Sequence, residues 1–195
     1  MTELARATLD TPVGPMLALA TDEALCALEF SSTGRLSRLE ARLARWFGGP
    51  DIADGSNVVI DRTRAWLDAY FAGTEADAHA LPLDLRGGAF ELKVWSALRT
   101  LNAGEVTSYG AIARQIGSPA ASRAVGLANG ANPIAIIVPC HRVIGANGSL
   151  TGYGGGLDRK RWLINHERRW RNALPLWLTD DLRSPASANV DPNGG

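Results

Sequence analysis

Cysteine is nearly absent from this chain of 195 residues: only Cys26 and Cys140 occur, too few for a disulfide scaffold. Two cysteines cannot make a zinc site alone, and the three histidines, His79, His141 and His166, lack paired ligand spacing, so no metal is expected. No apolar run approaches the roughly 20 residues that span a bilayer. The opening Met1-Thr2-Glu3-Leu4-Ala5-Arg6 also lacks the basic-then-apolar order of a secretory signal. These absences exclude a membrane protein and point to the cytoplasm, where thiols stay reduced.

Net charge is absent too, but the zero hides an asymmetry. Residues 1–87 carry eight basic against thirteen acidic side chains, a net of −5. Residues 88–171 carry eleven against four, a net of +7, and 172–195 carry one against three. A basic block inside a neutral chain is the footprint of a polyanion partner or of a solvated basic face.

With 46 % hydrophobic residues the chain can bury a core in one or two domains. Alternation over residues 5–30, broken at Thr11-Pro12-Val13-Gly14-Pro15, predicts antiparallel strands. Within them Cys26 reads as a small core hydrophobe. Leu36, Leu39, Leu43 and Phe47 predict a helix from about Arg35, and Trp66, Leu67, Tyr70 and Phe71 a second over 61–71. Leu81 to Leu85 reads as a strand or extended connection. Composition shifts at Arg86-Gly87-Gly88, the expected domain boundary. Beyond it, helices are expected over 89–100, 108–116, 120–129 and 157–167, with a short buried segment at 134–138. From residue 174 the chain is rich in Pro, Ser, Asn and Gly, and this tail is expected to be disordered.

Chemistry concentrates at Pro139-Cys140-His141-Arg142-Val143-Ile144-Gly145. A thiolate is a strong nucleophile at neutral pH, and His and Arg are neighbours that favour it. Adjacent residues in extended chain face opposite ways, so His141 would reach Cys140 through a water or a sharp turn. Glu167 on the last helix is the candidate carboxylate behind His141. The short helices at 108–116 and 120–129 form a helix-turn-helix pattern. On the second, Arg123 stands alone among Ala120, Ala121, Ser122 and Ala124, unlike a major-groove reader with several base-reading side chains. Gly152-Tyr153-Gly154-Gly155-Gly156 reads as a loop walling a pocket over Cys140, or as a plain surface loop.

Over residues 88–167 the chain resembles the O6-alkylguanine-DNA alkyltransferases. The segments that carry the resemblance are Gly104-Glu105-Val106-Thr107-Ser108-Tyr109, Ser122-Arg123-Ala124-Val125-Gly126, Ala131-Asn132-Pro133, Pro139 to Gly145, Gly152 to Gly156 and His166-Glu167. Residues 1–87 match loosely. The resemblance implies an α+β fold: a small N-terminal α/β domain with an antiparallel, RNase H-like sheet, then a mostly helical domain of winged helix-turn-helix type at 88–173. It implies that Cys140 takes the alkyl group from O6 of guanine in duplex DNA, and from O4 of thymine, once and irreversibly. His141 would relay the thiol proton, with Glu167 orienting it. Asn132 would hold the turn and Tyr109 would donate to the purine. Val143, Tyr153 and Gly154 would hold the base edges by backbone groups. Arg123, with Tyr109, Ala121 and Ser122, would meet DNA in the minor groove, Arg123 filling the gap left by the extruded base. Gly154 stands where some relatives carry Ser. No cofactor is implied, and a monomer is expected, with cooperative assembly on DNA left open. On the residues alone, a cysteine hydrolase using Cys140, His141 and Glu167, or a non-catalytic DNA-binding regulator, remain alternatives.

Overall fold

The computed structural model describes residues 2–170 apart from Ser32, Glu75 and Ala76. The tail expected from residue 174 lies outside the described residues. Strands β1 (Glu3–Leu9), β2 (Met16–Ala20) and β3 (Leu25–Phe30) form an antiparallel run. Its first turn is closed by Gly14 N donating to Thr11 O (2.9 Å), with Gly14 at φ 105°. Only glycine enters that region without steric cost.

Helix α1 (Thr33–Phe47) covers one face of the sheet, where Leu39 and Leu43 meet Leu4, Leu19, Cys26 and Ala27. Helix α2 (Val58–Phe71) covers the other, packing Ile60 and Leu67 with Met16, Ala18 and Leu28. Asn57 caps α2, its side chain accepting from Ile60 N, so the helix starts a turn earlier than its aromatic face suggested. Cys26 is buried as expected, and burial pushes its thiol up to about 11.

One expectation is corrected. The sheet is mixed rather than antiparallel, because β4 (Asp51–Asp54) adds parallel to β1, giving the order β3-β2-β1-β4. Asp51-Ile52-Ala53-Asp54 is short, mostly exposed and turn-like in composition. It holds as a strand only because β1 offers a free edge, with Glu3 opposite Asp51.

β3 lies at the other edge, yet all six of its residues are buried. Two distant segments satisfy that edge. Leu25 N donates to Pro82 O and Asp84 N to Leu25 O (both 2.9 Å); farther along, Leu28 N donates to Pro133 O (2.9 Å) and Ala135 N to Leu28 O (2.8 Å). The second pair ties the helical half of the chain to the sheet.

That half comprises α3 (Ala89–Arg99), α4 (Tyr109–Gln115), α5 (Ser122–Gly130) and α6 (Leu157–Trp170), with β5 (Thr107–Ser108) parallel to β6 (Val143–Ile144). Trp95 on α3 is fully buried and donates from Nε1 to Ala128 O on α5 (2.8 Å). A Cβ at Gly87 would lie 2.8 Å from that indole, which accounts for a glycine there. Between α4 and α5, Ser118 N donates to Ala113 O (2.8 Å) and Gly117 sits at φ 74°, a glycine-terminated helix end. Ala121 occupies the cap position, so α5 begins at Ser122 rather than Ala120. Among the described residues no helix is long and apolar enough to cross a membrane.

Because Trp95 supplies both volume and the partner of a buried carbonyl, Trp95→Ala is expected to cost about 3–5 kcal/mol. Urea unfolding followed by circular dichroism measures it.

Candidate active site

Helix α5 ends at Gly130, and Asn132 organises the chain just beyond it. Its buried side-chain Oδ1 accepts from Ile134 N (3.0 Å), while Nδ2 lies 2.8 Å from Val138 O, 3.3 Å from Ile134 O and 3.1 Å from Cys140 Sγ. One amide thereby folds residues 134–138 into a loop, closed by Val138 N donating to Ile134 O (3.1 Å). At its tip Ile136 has φ 70°, a region that costs a β-branched residue of order 1–3 kcal/mol. Pro139, at φ −82° and ψ 61°, makes an inverse γ-turn, and Cys140 to Arg142 form one turn of 3-10 helix. The chain at Cys140 is therefore turned, not extended.

His141 is fully buried, with Nε2 2.7 Å from Glu167 Oε1. Glu167 also accepts from Tyr70 OH (2.8 Å), Gly104 N (3.0 Å), Arg142 Nε (3.0 Å) and Arg142 Nη2 (2.9 Å). Burial works against this carboxylate, but the hydrogen bonds from His141 and Arg142, with the Arg142 charge, hold it well below the usual range. An ionised acceptor requires Nε2 to carry the proton. Burial holds His141 below its ordinary value, outweighing the pull of Glu167, so the ring is neutral at pH 7. Its Nδ1 is then a lone pair, buried and without a partner among the described residues.

Cys140 is 6 % exposed. Burial pushes its thiol up, against the Asn132 hydrogen bond and the positive charges of Arg35 and Lys160. The expectation that Arg142 favours the thiolate is not met. Arg142 turns away to Glu167 and to Leu101 O (2.6 Å). Of the two cations on the thiol side that the sequence reading missed, Arg35 and Lys160, the second is fully buried on α6 and donates to Val143 O and Thr151 O (both 2.6 Å). Burial brings its ammonium down to about 8. Its spacing from Leu163, Ile164 and Glu167 was the available signal, since it shares their inward helix face. Asn129, donating from Nδ2 to Cys140 O (3.2 Å), was also missed.

Tyr109 opens α4 and donates to Thr151 O (3.0 Å) on the glycine loop; burial pushes its phenol up. Tyr153 is packed edge-on against Phe30 (centroids 6.2 Å apart), and its hydroxyl is buried without a partner. Val143 is fully buried, one lone pair of its carbonyl taken by Lys160. Gly154 lies against Arg35 of α1. Cys140, His141, Glu167, Asn132, Val143 and Lys160 are thus drawn together, with Tyr153 on the glycine loop and Tyr109 at the start of α4 beside them.

Arg123, Ala121 and Ser122 stand apart from this cluster, at the start of α5. Arg123 is exposed and unpaired among the described residues. Leu127, one turn on, is 77 % exposed, so the outer face of α5 presents one cation followed by small or apolar surface.

Comparison with known proteins bears on both halves. Residues 4–85 match the family model described as 6-O-methylguanine DNA methyltransferase, ribonuclease-like domain, and 89–169 its DNA binding domain. The chain is 49 % identical over 164 residues to the methylated-DNA–protein-cysteine methyltransferase of Mycolicibacterium paratuberculosis, covering 83 % of this chain and 91 % of that one. It is also similar to the crystal structure of the Mycobacterium tuberculosis O6-methylguanine methyltransferase (TM-score 0.67, 42 % identity, 95 % and 96 % of the two chains). The M. tuberculosis protein in complex with DNA gives TM-score 0.67 at 44 % identity, covering 90 % and 97 %. The expected order, a ribonuclease-like α/β domain followed by a helical DNA-binding domain, is met. With both halves matched in that order and relatives near half identity along most of its length, this chain belongs to the O6-methylguanine DNA methyltransferase family.

Proposed function

We propose that this chain repairs DNA as a methylated-DNA–protein-cysteine methyltransferase, moving the alkyl group from O6 of guanine, and from O4 of thymine, onto Cys140. The observation that carries the reading is the polarised pair behind the thiol. Glu167 fixes the Nε2–H tautomer of a neutral, buried His141, leaving Nδ1 free to act as the base.

Burial keeps the resting thiol protonated, so the reaction needs that base. His141 Nδ1 takes the Cys140 proton through a water. The sulfur then forms its bond to the alkyl carbon as the carbon–O6 bond breaks, and the electron pair passes to the purine. Asn132 Nδ2 and the Lys160 charge favour the developing thiolate. The Tyr109 hydroxyl, held protonated by burial, gives a proton to the leaving guanine. The thioether product has no leaving group, so each molecule acts once. This irreversibility separates the reading from a cysteine hydrolase, and the presence of Cys140 separates it from a regulator without chemistry.

An alkylated base inside the duplex cannot reach a sulfur this buried, so the nucleotide leaves the stack. The small, exposed face of α5 suits a minor groove about 6 Å wide, with Arg123 filling the space behind the extruded base. The solved complex of the M. tuberculosis relative with DNA supports this partner. The same reading divides the chain between residues 87 and 88 and has one copy act per lesion in a reducing cytoplasm.

Mass analysis of the intact protein after exposure to a duplex bearing O6-methylguanine should find one methyl group per molecule, on Cys140, with a stoichiometric endpoint. Cys140→Ala should bind the duplex and gain nothing. Repeated turnover would refute the reading. Arg123→Ala should slow repair in duplex by ~10-fold or more, the scale on which losing a contact worth a few kcal/mol is felt. It should leave transfer from free O6-benzylguanine nearly intact, and equal losses on both would contradict its role. Because His141 sits below its ordinary value, transfer from free O6-benzylguanine should stay level as pH falls through about 6.5, where an ordinary imidazole would be half protonated. A half-maximal rate at that pH would contradict the neutral-base assignment.

A further inference from the structure

The loop over the thiol has glycines at 152 and 156 in the left-handed region, at φ 51° and 93°. Gly154 is not in that region, and its backbone suits any residue. Space, rather than conformation, accounts for it. A Cβ at 154 would overlap Nη1 and Cζ of Arg35 and lie 3.0 Å from its Nη2.

Arg35 belongs to the first turns of α1, in the other half of the chain. Its Nη2 is paired with Oε2 of Glu29, a buried carboxylate whose Oε1 accepts from Phe30 N (2.9 Å). The guanidinium is thus anchored to the end of β3 and laid over the glycine loop. Gly155 rests on the same strand end, since a Cβ there would lie 2.6 Å from the Phe30 ring. Glu29 and Arg35 also line a cleft of about 490 Å³ together with Asn132, the residue that touches the sulfur. Both charges are felt at Cys140 and at Tyr153.

We propose that Arg35, anchored by Glu29 and accommodated by Gly154, is a specificity-determining residue that limits the size of the alkyl group the Cys140 pocket accepts. The inference rests on the alkyl-transfer reading. The guanidinium fills the volume that a side chain at 154, or a larger substituent on O6, would otherwise take. A group paired to a buried carboxylate does not swing aside freely. The ribonuclease-like half of the chain therefore supplies one wall of a pocket whose chemistry lies wholly in the other half.

The test is a double-mutant cycle with Arg35→Ala, Gly154→Ala and the two combined. Transfer rates are measured on duplexes bearing O6-methylguanine or O6-benzylguanine, and thermal midpoints are recorded for each protein. Arg35→Ala is expected to raise the benzyl-to-methyl rate ratio by about tenfold, the discrimination a pocket gains from small differences in bulk. Gly154→Ala alone is expected to slow both substrates and lower the midpoint. In the Arg35→Ala background the three atoms nearest the added methyl are gone, so rates and midpoint should return toward those of Arg35→Ala, a strongly non-additive result. An unchanged ratio in Arg35→Ala, or a Gly154→Ala effect of equal size in both backgrounds, overturns the proposal. If Gly154→Ala does not fold, the Arg35→Ala ratio decides. Unmodified Cys140 in the unsubstituted protein would sink the alkyl-transfer reading instead, and the midpoint cycle, which needs no reaction, would still report on the coupling.

Discussion

A single buried carboxylate holds the Cys140 end of this molecule together. Glu167 receives hydrogen bonds from Tyr70 on α2, from the backbone at Gly104, and from His141 and Arg142 in the turn that carries the thiol. Four stretches of chain, its own helix included, converge on two oxygen atoms. Removing one partner of a buried charge pair typically costs about 3–5 kcal/mol, a large share of the stability of a domain this size. The same contacts set the chemistry. Arg142 keeps Glu167 ionised, Glu167 keeps the proton on Nε2, and the opposite nitrogen of His141 is left basic. Folding energy and acid–base poise are here one arrangement, so neither can be altered alone.

Much of this was legible in the residues themselves. Pro139-Cys140-His141-Arg142 announced a reactive thiol, and the 3.6-residue spacing placed Glu167 on a helix able to meet it. The small residues around Arg123 suggested a helix suited to close approach, and α5 does expose Arg123 and Leu127 on its outer face. What stayed hidden depended on long-range geometry. Arg142 looked like a partner for the thiol because it is adjacent in sequence, yet the 3-10 turn swings it toward Glu167. Ile134-Ala135-Ile136-Ile137-Val138 has the composition of a strand, but the Asn132 side chain competes for its backbone groups and bends it. Lys160 sits between Arg159 and Arg161, where by charge nothing sets it apart from the other bases of that block. β4 was invisible because four half-polar residues become a strand only beside β1, some fifty positions earlier.

The two halves of the chain are less separate than their compositions suggest. The turn at Thr11 to Pro15, recognised as a hairpin signal, also receives Arg159 from α6, whose Nε donates to Val13 O (2.6 Å) and whose Nη1 donates to Gly155 O (2.9 Å). Arg42 of α1 reaches Glu91 on α3 (2.9 Å). Phe30, at the end of β3, lies beneath Tyr153 and under the guanidinium of Arg159, 4.8 Å from its ring centre. All but the bond to Gly155 cross between the two halves, and the ion pair among them joins a base of the acidic half to an acid of the basic half, so backbone carbonyls and ring faces do as much of the holding as charge does.

The pairing of β3 with Pro133 to Ala135 carries one more consequence. That ladder fastens the segment just before the nucleophile to the rim of a four-stranded sheet, with backbone hydrogen bonds of 2.8 and 2.9 Å. Such a joint has no hinge, and the two lobes cannot part to admit a lesion without unzipping it. On the base-extrusion reading proposed above, the travel then falls to the nucleic acid, and duplexes that open readily at the damaged pair should be served faster than stiff ones for reasons wholly outside the polypeptide.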